Sequence, residues 1–225
     1  MLEQTTFFVD FDSALATRET LDDLAALALD DHPERETVYA ELEALTALGM
    51  TGAMPFGDSL TARLALLEGI AHRDHIEELN EQLADQLSPS AVAHSDWFAA
   101  NAERLYVISG GFEEIIIPTV ARVGILATHV YANKFVFDDN GYIVGHDTNR
   151  LTAQAGGKAA QAAKLKVAGR AVAVGDGYTD LEIREQGVAD EFWAIIETVE
   201  RPNVTTRADR IISDFSELAL SSPAN

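Results

Sequence analysis

The chain has 225 residues, 47% apolar and 24% charged, enough for one sizeable core or for a core carrying a smaller insertion. Its 16 basic and 37 acidic residues leave a net charge of −21, which excludes the basic patches that nucleic acid or an anionic membrane requires in a partner. There is no cysteine, so disulfides, thiolate metal sites and cysteine nucleophiles are excluded too.

No apolar run approaches the roughly 20 residues of a membrane span, and Met1–Gln4 lacks the basic flank and apolar segment of a signal peptide. A cytoplasmic enzyme is expected. The acids are spread along the chain, so the charge is a surface property, of the kind that keeps a protein hydrated at high salt.

The first element is a short apolar strand, Thr5 to Val9, ending abruptly in Asp10-Phe11-Asp12-Ser13. Residues i and i+2 project to one side of a strand, so Asp10 and Asp12 should share one small volume. Two anions that close are tolerated only when a cation or a shared proton offsets their repulsion. From Glu19 to Leu29 the apolar residues fall at helical spacing. A second stripe runs through Val38, Leu42, Leu45 and Leu48, with Pro33 in its first turn and Gly49 closing it. A third, Phe56 to Leu67, ends at Gly69, and a fourth, Ile76 to Leu87, stops at Ser88-Pro89. Residues 16–88 therefore read as consecutive helices without a strand.

From Ser90 the pattern changes. A helix through Trp97, read as a packing residue, and Phe98 leads to the strand Arg104–Ile108, which ends in Ser109-Gly110-Gly111. Phe112 to Val123 is helical, with Pro118 expected to bend it or mark a late start. His129–Asn133 reads as a strand, and Phe135–Phe137 and Tyr142–Val144 flank the hairpin signal Asn140-Gly141. A helix over Gly157–Val167 precedes the buried-type strand Ala171–Val174, which ends in Gly175-Asp176-Gly177. A helix at Leu181–Glu185 and strands at Phe192–Ile196 and Arg210–Ile212 follow; Trp193 is read as packing, and Ser221–Asn225 should fray. Strands alternating with helices imply an α/β fold, a parallel sheet with helices on both faces.

Three strands thus end in polar clusters, and ligands of an open parallel sheet bind at strand carboxyl ends. Four carboxylates, Asp10, Asp12, Asp176 and Asp180, around one point call for a hard divalent cation, with magnesium the natural choice for oxygen ligands. Ser109, the amides of Gly110 and Gly111 at a helix N-terminus, and Lys158 at the start of its helix are donors suited to phosphate. Such a set fits phosphoryl transfer, in which an aspartate attacks phosphorus and water releases it again. His72 and His75 share a helix face but have no third ligand and make no metal site.

These four segments, in this order, resemble the four motifs of the haloacid dehalogenase superfamily of phosphohydrolases. The resemblance implies a Rossmann-like core of residues 1–15 and 89–225 and a small helical cap of residues 16–88 inserted after the first strand. It implies Asp10 as nucleophile, Asp12 as general acid/base, Ser109 and Lys158 on the phosphate, and magnesium held by Asp10, the backbone carbonyl of Asp12 and Asp176. Asp180 would be a further ligand or a support behind the ligands. Within the superfamily the chain is most similar to the phosphoserine phosphatase branch, through Ser109-Gly110-Gly111-Phe112, Val174-Gly175-Asp176-Gly177 and Tyr131-Ala132-Asn133. In the cap, Glu19 stands where that branch contacts a substrate amino group. Met50, Phe56 and Arg63 resemble its methionine, phenylalanine and carboxylate-binding arginine, and an arginine fork suits a carboxylate physically. Two departures are Ala14, where threonine is common, and Thr179, where asparagine is common and which keeps a hydroxyl for the phosphate.

The implied reaction is hydrolysis of O-phosphoserine to serine and phosphate, a step of serine biosynthesis, by a monomer or homodimer. The alternatives are a phosphatase or phosphotransferase for another small phosphomonoester such as phosphohomoserine, or a non-catalytic protein that binds phosphoserine or phosphate.

Overall fold

The computed structural model describes residues 5–221, so Met1–Gln4 and nearly all of the end expected to fray lie outside the described residues. Strand β1 (Thr6–Val9) leads into a tight loop and then helices α1 (Thr20–Ala28), α2 (Arg35–Met50), α3 (Phe56–Leu67) and α4 (Arg73–Gln82). Two short helices, α5 (Pro89–Ala93) and α6 (Ser95–Ala100), bring the chain to β2 (Leu105–Phe112) and α7 (Glu113–Val120). Next come β3 (Val130–Asn133), the hairpin β4 (Phe135–Phe137) and β5 (Ile143–His146), and α8 (Gly157–Leu165). The chain finishes with β6 (Ala171–Gly175), α9 (Tyr178–Glu185), β7 (Glu191–Ile195), α10 (Pro202–Thr205), β8 (Arg210–Ile212) and α11 (Ser216–Ser221). No helix among the described residues is long and apolar enough to cross a membrane.

Six strands form one sheet in the order β3-β2-β1-β6-β7-β8, every pairing parallel. Side chains of successive strand residues alternate between two cores. Phe7, Val9, Val172 and Val174 join the larger cluster with α1, α3, α6 and α7, while Phe8, Ala171 and Ala173 join a second with α8 and α9. The chain builds β1, β2 and β3 in one direction and then crosses to the other side of β1 with β6. The switch point therefore lies between β1 and β6, the strands that carry Asp10 and Asp176 at their ends.

Helices α1 to α4 follow one another without a strand between them, as expected, and their apolar faces enter the larger core. The chain's entry to and exit from them are tied together: Ser88 N donates to Leu15 O at 2.8 Å and Thr17 N to Gln86 O at 2.8 Å. The hairpin docks on the start of α4, where the His72 imidazole donates from Nε2 to Asn140 O at 2.8 Å and Arg73 lies 4.0 Å over the Phe137 ring. His72 also caps α4, and its backbone N–H donates to His75 Nδ1, so the pair is structural.

Several local expectations are corrected. Strand β2 does not end at Ser109 but continues to Phe112, with a register shift against β3, so Gly110 and Gly111 lie in extended chain and not at a helix N-terminus. Pro33 precedes α2 and is not in its first turn. Gly49 does not stop α2; it sits inside, where a Cβ would come 2.8 Å from Ser59 Oγ, so its bareness serves the close approach of α3. Pro118 stands inside α7, and the Glu114 carbonyl it leaves without a helical N–H accepts instead from Asn80 Nδ2 of α4 at 3.0 Å.

Candidate active site

Asp10 continues the ladder of β1, its N–H donating to Val174 O at 2.9 Å, and its side chain turns into the switch point. Asp10 Oδ1 accepts from Phe11 N at 2.7 Å and from Lys158 Nζ at 2.8 Å. Lys158, in the first turn of α8, donates equally to Asp180 Oδ1 at 2.8 Å. Burial works against its charge, but Asp10 and Asp180 outweigh that and hold the ammonium well above its usual range. Asp180, in the first turn of α9, also accepts from Gly177 N at 3.1 Å. Burial, and then Asp10, raise its pKa well above the ordinary range.

The loop after Asp10 makes one tight turn in which Ser13 takes a positive φ of 55°. Asp12 is buried there, and its Oδ1 accepts from Thr20 N at 2.8 Å and Thr20 Oγ1 at 2.7 Å. Burial and the neighbouring Asp10 push this carboxyl up to about 6, against the pull of the Thr20 bonds. The expected meeting of four carboxylates at one point is thus corrected to three. Asp10, Asp176 and Asp180 bring oxygens within 4.8 Å of one another, while the Asp12 carboxylate faces Thr20 at the margin.

The donor chemistry of this trio fits a hard divalent cation. Among the described residues, Asp10 Oδ2 and Asp176 Oδ1 take no hydrogen bond, although both residues are buried. Carboxylate oxygens gathered this closely repel one another, and a cation between them would relieve that repulsion.

The cavity above Asp10 is small and lined by Asp12, Glu19, Arg63, Gly110, Gly111 and Lys158, with Leu21, Met50, Phe56 and Thr179 completing the wall. A Cβ on Gly110 would come 2.3 Å from the Phe56 ring and one on Gly111 2.8 Å from Asp12 Oδ2, so both need a bare backbone. Ser109 is not in that wall; fully buried, its Oγ accepts from Gly111 N at 2.9 Å and shapes the turn of the strand. Asn133 Nδ2 donates to Gly110 O at 2.8 Å and fixes the same segment from β3.

Glu19 caps the start of α1 by position and not by a side-chain bond. It accepts from Ser13 Oγ at 2.7 Å, and burial with the nearby Asp12 and Asp176 pushes it up to about 8. Arg63 is 5% exposed; its Nη1 donates to Thr46 Oγ1 at 3.3 Å and its buried Nε has no acceptor. No carboxylate among the described residues lies within ion-pair distance of it. A larger cleft opens between α1 and α4, but its arginines are already paired, Arg18 with Asp23 and Arg35 with Asp30.

Arg201 was not anticipated. Its Nε donates to Asp176 Oδ2 at 2.8 Å and its Nη2 to Glu19 Oε1 at 3.3 Å, joining the strand-end acids to the helical segment. The one available signal was its place: the connection after β7 returns to the sheet edge where the acids gather, and a cation there relieves them.

Residues 7–185 match the family model of the haloacid dehalogenase-like hydrolases. The phosphoserine phosphatase of Rattus norvegicus is 32% identical over 93% of this chain and 89% of its own length. The chloroplastic phosphoserine phosphatase of Arabidopsis thaliana is 32% identical over 93% of this chain and 68% of its own length. Among solved structures, a phosphoserine phosphohydrolase-like protein from Francisella tularensis superposes with a TM-score of 0.85 at 27% identity, covering 96% of this chain and 99% of that one.

Proposed function

The chain belongs to the haloacid dehalogenase-like hydrolases, and from that premise we propose that it is a magnesium-dependent phosphomonoesterase that hydrolyses O-phosphoserine to serine and phosphate. The observation that carries the substrate is the cavity's polarity: a nucleophilic carboxylate beside Lys158, with an acceptor carboxyl, Glu19, and a buried cation, Arg63, in the same wall. A phosphate ester bearing both an ammonium and a carboxylate complements such a wall.

In this reading a carboxylate oxygen of Asp10 attacks phosphorus as the bond from phosphorus to the serine oxygen breaks. Asp12, whose raised carboxyl can hold a proton near neutrality, gives it to the leaving oxygen. Asp12 then takes a proton from the water that attacks the aspartyl-phosphate, which frees phosphate and restores Asp10. Lys158 neutralises and orients the phosphoryl oxygens with the amide of Gly110, while the Gly111 amide, held by Ser109 Oγ, shapes the segment. Asp10, the backbone carbonyl of Asp12 and Asp176, with Asp180 behind them, would hold magnesium, which would supply the remaining positive charge for the phosphoryl group. Residues 16–88 act as the cap, excluding bulk water.

The test is phosphate release over a small panel of phosphomonoesters. O-phosphoserine should be hydrolysed with magnesium, not with EDTA, and not by Asp10→Asn. Preference for a phosphomonoester without the amino acid head would refute the substrate, and release unaffected by Asp10→Asn would refute the chemistry.

A further inference from the structure

Arg63 is held in an unusual way. Its charge is buried, yet no carboxylate touches it directly among the described residues. Its Nη1 donates to the hydroxyl of Thr46, and Thr46 Oγ1 lies 2.8 Å from Asp22 Oδ1. The same hydroxyl lies 3.1 Å from Leu42 O, but its single proton goes to the shorter, charged acceptor. The donors therefore all point one way, from Arg63 through Thr46 to Asp22, the arrangement in which successive bonds strengthen one another. The three residues come from α3, α2 and the first turn of α1.

Inserting a hydroxyl between the two charges has a chemical consequence. A carboxylate set directly against an arginine closes two of its N–H groups, because the pair prefers two parallel bonds. Here Asp22 offsets the buried charge while only Nη1 is used; Nε, itself buried, stays without an acceptor, and Arg63 lines the cavity.

We propose that Asp22 and Thr46 are positioning residues that set substrate selectivity: the relay stabilises Arg63 in the cavity without closing the edge of its fork that grips a substrate carboxylate. This rests on the reading that the cavity takes phosphoserine. Thr46→Val removes the hydroxyl at nearly constant volume, breaks the relay and lets Arg63 turn toward Asp22.

The experiment compares O-phosphoserine with O-phosphoethanolamine, which keeps the amine and lacks the carboxylate, using magnesium-loaded full-length chain. The variants are Thr46→Val, Thr46→Ser, Asp22→Asn, Arg63→Ala and the double variant Thr46→Val/Arg63→Ala. The ratio of the two kcat/KM values should fall roughly 10-fold in Thr46→Val, as for loss of a hydrogen bond to a charged group, with the change carried by KM for phosphoserine. Thr46→Ser should restore the ratio, Asp22→Asn should lower it, and Thr46→Val should add nothing once Arg63 is Ala. Equal losses on both substrates, or a ratio that Thr46→Ser does not restore, overturn the relay. A ratio that Arg63→Ala leaves unchanged overturns the underlying substrate reading instead, as does absence of turnover by the unmodified chain. If Thr46→Val does not fold, Asp22→Asn and Thr46→Ser carry the same expectations and decide the matter.

Discussion

Lys158→Met is the sharpest perturbation of the strand-end cluster. The ammonium is 6% exposed and sits 2.8 Å from both Asp10 and Asp180, whose oxygens lie within 4.8 Å of each other and of Asp176. Methionine keeps most of the stem's packing and removes only the charge and its donors. Breaking a buried pair by removing one partner costs about 3–5 kcal/mol, because the other charge stays buried. For a chain of this size each kcal/mol lowers Tm by about 2–4 °C, so the variant should melt about 6–20 °C below the original in EDTA. The ammonium is held above its ordinary range, so its contribution is fully present below that range and is lost only as pH climbs through the raised value; pH 7 reports all of it. In the variant the deficit should shrink as pH falls, because protonating Asp180 removes the exposed repulsion. Magnesium should recover much of the loss by meeting the same carboxylates. Urea or thermal unfolding followed by circular dichroism, with EDTA and with magnesium, measures both quantities. A deficit in EDTA below about 1 kcal/mol, or one that magnesium leaves untouched, would refute the claim that this cluster is short of positive charge.

Asp12→Asn should lower kcat by roughly 10²–10⁴ with the melting curve little changed, and an effect under tenfold would remove Asp12 from proton transfer. With its carboxyl near 6, hydrolysis of an alkyl phosphate should decline as pH rises through that value, while p-nitrophenyl phosphate, whose leaving group needs no proton, should lack that limb. Asn80→Ala should destabilise by about 1–3 kcal/mol by orphaning Glu114 O; Pro118→Ala in the same background restores a helical donor and should recover stability in urea titrations. Because the net charge is −21, Tm should rise between low and molar KCl; a flat profile would show that self-repulsion does not limit stability.

The sheet and the strand ends at Asp10 and Asp176 were readable from the chain because each is a local signal, an apolar run followed by an acid, whereas Ser109 proved to lie inside β2. What escaped depends on contacts between distant segments. Thr20 holds Asp12, Arg201 reaches Asp176 from 25 residues away in a connection without a motif, and Thr46 meets both Asp22 and Arg63 from a neighbouring helix. Glycine was the most misleading letter. Gly49 has the look of a helix stop, and Gly110 and Gly111 that of a helix entrance, yet each is bare because another side chain comes close. Composition and spacing register backbone freedom; they do not distinguish a turn from a tight approach.

The place of β1 at the centre of the sheet also sets a timetable for synthesis. Thr6 pairs with Ala171, so the strand bearing Asp10 waits for β6 while the intervening chain is made. At about 5–20 residues per second that is roughly 10–30 s during which one edge of Phe7-Phe8-Val9 stays unpaired. Strands of this composition invite pairing with other chains, and flanking charges discourage it. Asp10 and Asp12 stand immediately after the apolar run. The two acids to which the proposed reaction assigns attack and proton transfer therefore also guard the chain's most adhesive segment while the molecule is still incomplete.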